Sequence, residues 1–107
     1  EMLRRQGLDP ARAVEIMAAT PVCSPAVKVA AVMMLADAFA PLFPIELVVK
    51  DLRYALDAAG SADRAPMTAA AKGVYSSAQT HGLGGDHLTS LVQLYREDKV
   101  FGRACRP

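Results

Sequence analysis

Lys50 and Asp51 stand side by side a short distance after Phe43, the second aromatic of the run Phe39-Ala40-Pro41-Leu42-Phe43. An ammonium can pair with a ligand's negative charge, a carboxylate can hold neighbouring groups by hydrogen bonds, and an aromatic beside two prolines can wall a pocket. Each also has a plainer reading. Lys50 can be a solvent-exposed helix lysine paired with Glu46 one turn earlier, worth about 0.3 to 0.5 kcal/mol. Asp51 can be a half-buried carboxylate satisfied by backbone amides of the Phe39 to Pro44 loop. Phe43 can be loop-to-core packing, and Ser24 before Pro25 is fully explained as a helix cap. His81 and His87 flank the turn at Gly82, His81 placed to meet a helix C-terminus and His87 following a capping Asp86. Neither has a metal-ligand partner at suitable spacing, and Cys23 and Cys105 lie far apart outside any C-x-x-C, so reduced thiols and no metal are expected.

The elements that must carry these residues are helical. In 107 residues, one ordinary domain's worth and enough to bury a core, 52% are hydrophobic, much of that alanine, which favours helices and their close approach. Lys plus Arg number 12 against 11 acidic residues, and a net charge of +1 gives no field to attract nucleic acid or an acidic membrane. The longest apolar run, Val29 to Ala36, is bounded by Lys28 and Asp37 and falls far short of the roughly 20 residues of a membrane span, so it reads as a buried helix. The chain opens on Glu1 with no leader-like segment, reads as cut at its N-terminus, and suits a cytoplasmic protein.

Helix signals recur along the chain. Glu1 to Gln6 reads as the end of a helix stopped by Gly7, and Asp9-Pro10 opens a second with Ala13, Ile16 and Met17 on its apolar stripe. Ser24-Pro25 opens a third, apolar nearly all round and expected to be buried on more than one side. Pro41 and Pro44 enforce a loop. From Ile45 the residues Val48, Val49, Leu52, Leu56 and Ala59 share a face until Gly60. Pro66 opens a helix with Met67, Ala71, Val74 and Ala78 on one stripe, and Gly73 within it suggests close packing. Gly84-Gly85-Asp86 leads into a last helix with Leu88, Leu91, Val92 and Tyr95, and Arg96 to Pro107 reads as a fraying tail. The sum is an all-α bundle of about five or six helices.

Taken together these residues resemble the β-hydroxyacid dehydrogenases, the 3-hydroxyisobutyrate dehydrogenase family. Its C-terminal domain, a helical bundle resembling in fold that of 6-phosphogluconate dehydrogenase-like proteins, carries a glycine-and-serine segment, F-x-P-x-F, then K-D-L-x-x-A-x-D, a proline-opened helix with a tyrosine, and a G-x-x-x-D turn. Here stand Ser24; Phe39, Pro41 and Phe43; Lys50, Asp51, Leu52, Ala55 and Asp57; then Pro66, Tyr75, Gly82 and Asp86. The resemblance implies that residues 1–107 form a single helical C-terminal domain, the N-terminal Rossmann domain and most of the interdomain helix being absent. It further implies reversible hydride transfer between NAD or NADP, bound mainly by the missing domain, and a small β-hydroxy acid or aldehyde acid. Lys50 would contact the cofactor, Asp51, Phe43 and Ser24 would face the substrate cleft, and the protein would be a homodimer or higher homo-oligomer.

The chain lacks two of the family's motifs. Gly82-Leu83-Gly84 follows a helix rather than a strand and has His87 where a third glycine would stand, so it is no dinucleotide loop. Neither Lys28 nor Lys72 is followed by x-x-N-N, so the acid/base lysine is expected upstream of Glu1 and this segment alone should be inactive. A stand-alone, non-catalytic helical binding or dimerisation module is the alternative.

Overall fold

The computed structural model describes residues 1–96. The rest of the expected tail, with Cys105, lies outside the described residues. Six α-helices run in the order α1 (Met2–Arg5), α2 (Pro10–Ala18), α3 (Pro25–Leu35), α4 (Ile45–Ala59), α5 (Pro66–Ala78) and α6 (Gln93–Arg96). Short 3-10 turns at Ala62–Arg64 and Leu88–Val92 and a π-type turn at Gln79–Leu83 connect them. The regular structure of the described residues is all-helical, apart from an isolated antiparallel bridge between Pro44 and His87.

The helix starts follow the local chemistry. Asp9 Oδ1 accepts from the Ala11 amide at 2.9 Å and Ser24 Oγ from the Val27 amide at 3.2 Å, each followed by proline at the first helical position, where no N–H is needed. Gly60 ends α4 at φ +83°, a left-handed conformation that costs glycine least. The end of α5 is less regular. The Thr80 hydroxyl donates to the Ser77 carbonyl at 2.8 Å and His81 Nδ1 meets the same oxygen at 2.7 Å. Side chains competing for a carbonyl widen the helix into its π-type turn, and Gly82 at φ +85° then reverses the chain.

At the centre lies a small core of Ile45, Ala78 and Leu94, flanked by Val49, Tyr75, Leu83, Leu91 and Tyr95. α4 and α5 form the most extensive helix pair, while α3 packs on α2 and on the Leu88–Val92 turn. At the far end of α3, Ala38 N–H bonds the Met33 carbonyl at 3.0 Å and Asp37 adopts φ +53°, a left-handed cap without glycine. Arg96 holds this corner, pairing with the Asp37 carboxylate and donating to the Met34 carbonyl at 2.7 Å.

Several expectations are corrected. α3 has no buried residue, and Val27, Val29 and Val32 are each more than half exposed, because α2 and one short turn cannot cover an all-round apolar helix. In α2, Ile16 and Met17 face outward while Ala13 and Val14 are half-buried. Met67 is 82% exposed because it sits in the first turn of α5, although Ala71, Val74 and Ala78 do face inward. An added Cβ at Gly73 would meet open space, so that glycine marks no close packing. The fully developed core expected of a domain this size is reduced to three buried apolar side chains among the described residues.

Candidate functional site

The start of α4 determines where the expected site residues stand. Pro44, its N-cap residue, has no side-chain hydrogen bond to give, and the first amides are satisfied from elsewhere: Ile45 N–H by the Asp86 carbonyl and Glu46 N–H by the Gly84 carbonyl, both at 3.0 Å. The Gly84 to Asp86 turn is thus the cap of α4. Asp86 does not cap the last helical segment, as expected from its position; its carbonyl faces α4, and His87 occupies the N-cap position without a side-chain bond to that turn.

His87 instead ties the aromatic loop down. Its backbone N–H donates to the Phe39 carbonyl at 3.0 Å, the Leu88 N–H donates to the Phe43 carbonyl at 2.9 Å, and Nδ1 accepts from the Phe43 N–H at 3.1 Å. The residue is 8% exposed. Phe43 is therefore fixed at its backbone while its side chain is 39% exposed. Sequence reasoning weighed His87 but missed this role: its acceptor function depends on a residue 44 positions away, and nothing local announces it. Thr89 and Ser90, fully buried in the next turn, carried no signal either.

Lys50 lies on the exposed side of α4. Its Nζ is 3.4 Å from Asp51 Oδ1 and 6.0 Å from the centre of the Tyr54 ring, with the Arg53 guanidinium over the same ring at 5.1 Å. The Glu46 pairing is not formed; the adjacent carboxylate competes successfully. Asp51 is correspondingly 55% exposed in its side chain and bonds to Lys50, not to loop amides, because its position on α4 turns it away from the apolar face. Ser24 is an exposed cap at the start of α3. Phe43 and α4 thus share one pinned junction, while among the described residues no hydrogen bond or ion pair joins Ser24 to Lys50 or Asp51.

The chemistry available is that of exposed cations. With the leading amides of α4 occupied by carbonyls, Lys50 and Arg53 are what this helix offers to a phosphate or carboxylate, and a lysine held only by a surface carboxylate can exchange it for another anion at little cost. A dinucleotide fits here as a partner reached by a side chain. The first amides of α4 are not open to cradle it by backbone, since the Asp86 and Gly84 carbonyls already occupy them. Burial raises the Tyr75 phenol above its ordinary pKa, so this tyrosine stays neutral and is no base. Among the described residues no group of three His, Cys, Asp or Glu could hold a metal, Cys23 carries a free thiol, and no helix is long and apolar enough to cross a membrane.

Residues 1–95 match the family model described as NAD-binding of NADP-dependent 3-hydroxyisobutyrate dehydrogenase. Among curated proteins the chain is 27% identical over 97 residues to glyoxylate/succinic semialdehyde reductase 2, chloroplastic, of Arabidopsis thaliana, covering 90% of this chain and 27% of that protein. The chain therefore spans about a quarter of the length of the curated relative it matches. On the family match, which runs from α1 into α6, the chain belongs to the NAD-binding domain family of the NADP-dependent 3-hydroxyisobutyrate dehydrogenases.

Proposed function

We propose that residues 1–107 are the single C-terminal helical domain of an NAD(P)-dependent oxidoreductase acting on a small β-hydroxy acid or aldehyde acid. In this reading the Rossmann domain and the acid/base lysine come from upstream of Glu1, and the protein works as a homodimer or higher homo-oligomer. The observation that carries the reading is Lys50: an exposed ammonium on α4, held only by its neighbour Asp51 and by contact with the Tyr54 ring. Bound dinucleotide supplies or accepts the hydride. Lys50 pairs with its negative charge, and Asp51, released from Lys50, orders groups at the cleft. Phe43, pinned by its backbone and open at its ring, walls the pocket and keeps water from it. Ser24 Oγ accepts from Val27 and keeps its own hydroxyl hydrogen to offer a substrate carboxylate.

In the full-length protein, Lys50→Ala should raise KM for the dinucleotide more than KM for the acid. Kinetics equal to wild type would return Lys50 to an ordinary surface lysine. The exposed Val27, Val29 and Val32 favour a second reading, a non-catalytic helical binding or dimerisation module. The coding sequence upstream of Glu1 separates the two: a strand-associated G-x-G-x-x-G followed by K-x-x-N-N supports the oxidoreductase, and an unrelated domain or an immediate initiator methionine sinks it.

A further inference from the structure

Two of the three hydrogen bonds between the His87 turn and the aromatic loop are made by backbone groups alone: His87 N–H to the Phe39 carbonyl and Leu88 N–H to the Phe43 carbonyl. The third is different in kind. The Phe43 N–H donates to His87 Nδ1 at 3.1 Å in a partly buried contact, and a ring nitrogen accepts only while it carries no proton. An imidazolium has an N–H at both nitrogens, so in the acid form two donors would face each other here. The Phe43 amide has no second acceptor among the described residues.

His87 is only 8% exposed, but it lines an open groove of about 580 Å³ along the first half of α3, a route for protons from water. No other titratable group stands in the groove's walls, and the loop from Phe39 to Pro44 contains none. The elements packed about the turn carry Lys28 on α3, Glu46 in the first turn of α4, Lys72 and Tyr75 on α5, Tyr95 and Arg96 on α6, and Asp86 beside the ring. Between about pH 5 and 8 the side chain whose ordinary titration falls in range is imidazole. His81 supplies the contrast: its Nδ1 meets a carbonyl, that of Ser77, so it carries a proton there already and protonating the ring leaves that bond in place.

We propose that His87 is a pH-sensitive clasp on the aromatic loop: the neutral ring holds the Phe43 amide, and the protonated ring lets it go. The closed clasp has no proton at Nδ1 and the open one takes a proton up, so closure is favoured at high pH and lost as pH falls through the imidazole range. The two backbone bonds involve no titrating group and confine the loosening to the Phe43 end of the loop. If the reading of Phe43 as a wall of the cofactor cleft holds, acid leaves that wall incomplete.

The test is amide exchange in the full-length protein without cofactor or substrate, each rate divided by its intrinsic rate at the same pH. Protection of the Phe43 amide should fall about thirtyfold between pH 8 and pH 5, a decade for each unit below about 6.5, where an imidazole in water titrates. Val49 in mid-α4 should keep its protection. In His87→Asn the acceptor is an amide oxygen that does not titrate, so protection at Phe43 should be independent of pH. In His81→Asn the wild-type fall should remain. Flat protection at Phe43 in the wild type, an equal fall at Val49, a fall in His87→Asn matching the wild type, or its disappearance in His81→Asn each overturns the proposal. None of these readouts depends on turnover, so they stand or fall apart from the oxidoreductase reading.

Discussion

His87→Ala should loosen the aromatic loop without dismantling the helices. The substitution removes the acceptor of the Phe43 N–H, a bond of 3.1 Å in a partly buried setting, and empties the ring volume of a residue that is only 8% exposed. Leaving a buried donor unsatisfied costs about 1 to 3 kcal/mol, and partial burial puts this one at the lower end. Loss of the packed ring adds about 1 kcal/mol, for a total of about 2 kcal/mol. For a domain of this size that corresponds to a fall in Tm of roughly 10 °C. His87→Asn, retaining an acceptor, should recover about half of the loss. Urea unfolding gives the free energies, and amide hydrogen exchange gives the location. The Phe43 and Leu88 amides should exchange faster in the alanine variant, while Val49 in mid-α4 should change only as global stability does. Unchanged protection at Phe43, or identical behaviour of the asparagine and alanine variants, would refute the clasp.

Ile45→Ala, in the fully buried centre of a three-residue core, should cost about 2 to 5 kcal/mol, and a change in Cm corresponding to under 1 kcal/mol would show that the core lies elsewhere. At Asp37, both Asp37→Gly and Asp37→Ala lose the Arg96 pair, but glycine suits φ +53° and alanine does not, so the glycine variant should be more stable by about 1 kcal/mol in urea unfolding. Burial raises the Tyr75 pKa above its ordinary value of 10.0, so the folded state holds its proton more tightly than the unfolded state does. The stability it contributes is present below pH 10 and lost as pH rises through the folded value; in Tyr75→Phe the alkaline decline of Cm should be shallower than in wild type.

Legibility in the sequence followed the range of the forces involved. Asp9-Pro10, Ser24-Pro25, Gly60 and Pro66 act through bonds to residues within a turn or two, and each helix boundary they announced is where they placed it. The inward face of α4 was equally readable, because fifteen residues of strict period leave little choice. What failed were inferences from composition to environment. An all-round apolar α3 looked buried, but burial depends on what is available to cover it. Asp51 looked half-buried because it neighbours Leu52, yet one step along a helix is a turn of about 100°, enough to carry it to the solvent side. His87 and Arg96 were invisible as organisers because their partners, Phe43 and Asp37, are distant in sequence and no periodicity links them. The candidate site divides in the same way: the exposure of Lys50 follows from its helix, whereas the fixing of Phe43 depends on a contact only the fold creates.

The placement of rigidity and exposure bears on how such a domain could serve a cleft. α4 is fixed at its start by two carbonyls of the Gly84 to Asp86 turn and at its end by a left-handed glycine, and its inner face rests on the core through Ile45 and Val49. A lysine on that helix has a well-defined origin and a mobile ammonium, which suits a group that must meet a ligand delivered by another domain. α3 is anchored just as firmly, by the Ser24 cap at one end and the Asp37–Arg96 corner at the other, yet presents three valines to solvent. Lys28 is the one charge on that helix, so its outer surface gains little from water. A helix held at both ends cannot hide an apolar face by rearranging. Its exposed valines can leave water only by being covered, so anything that covers them, whether a second chain or another part of the polypeptide, stabilises the folded state by the free energy of burying that face.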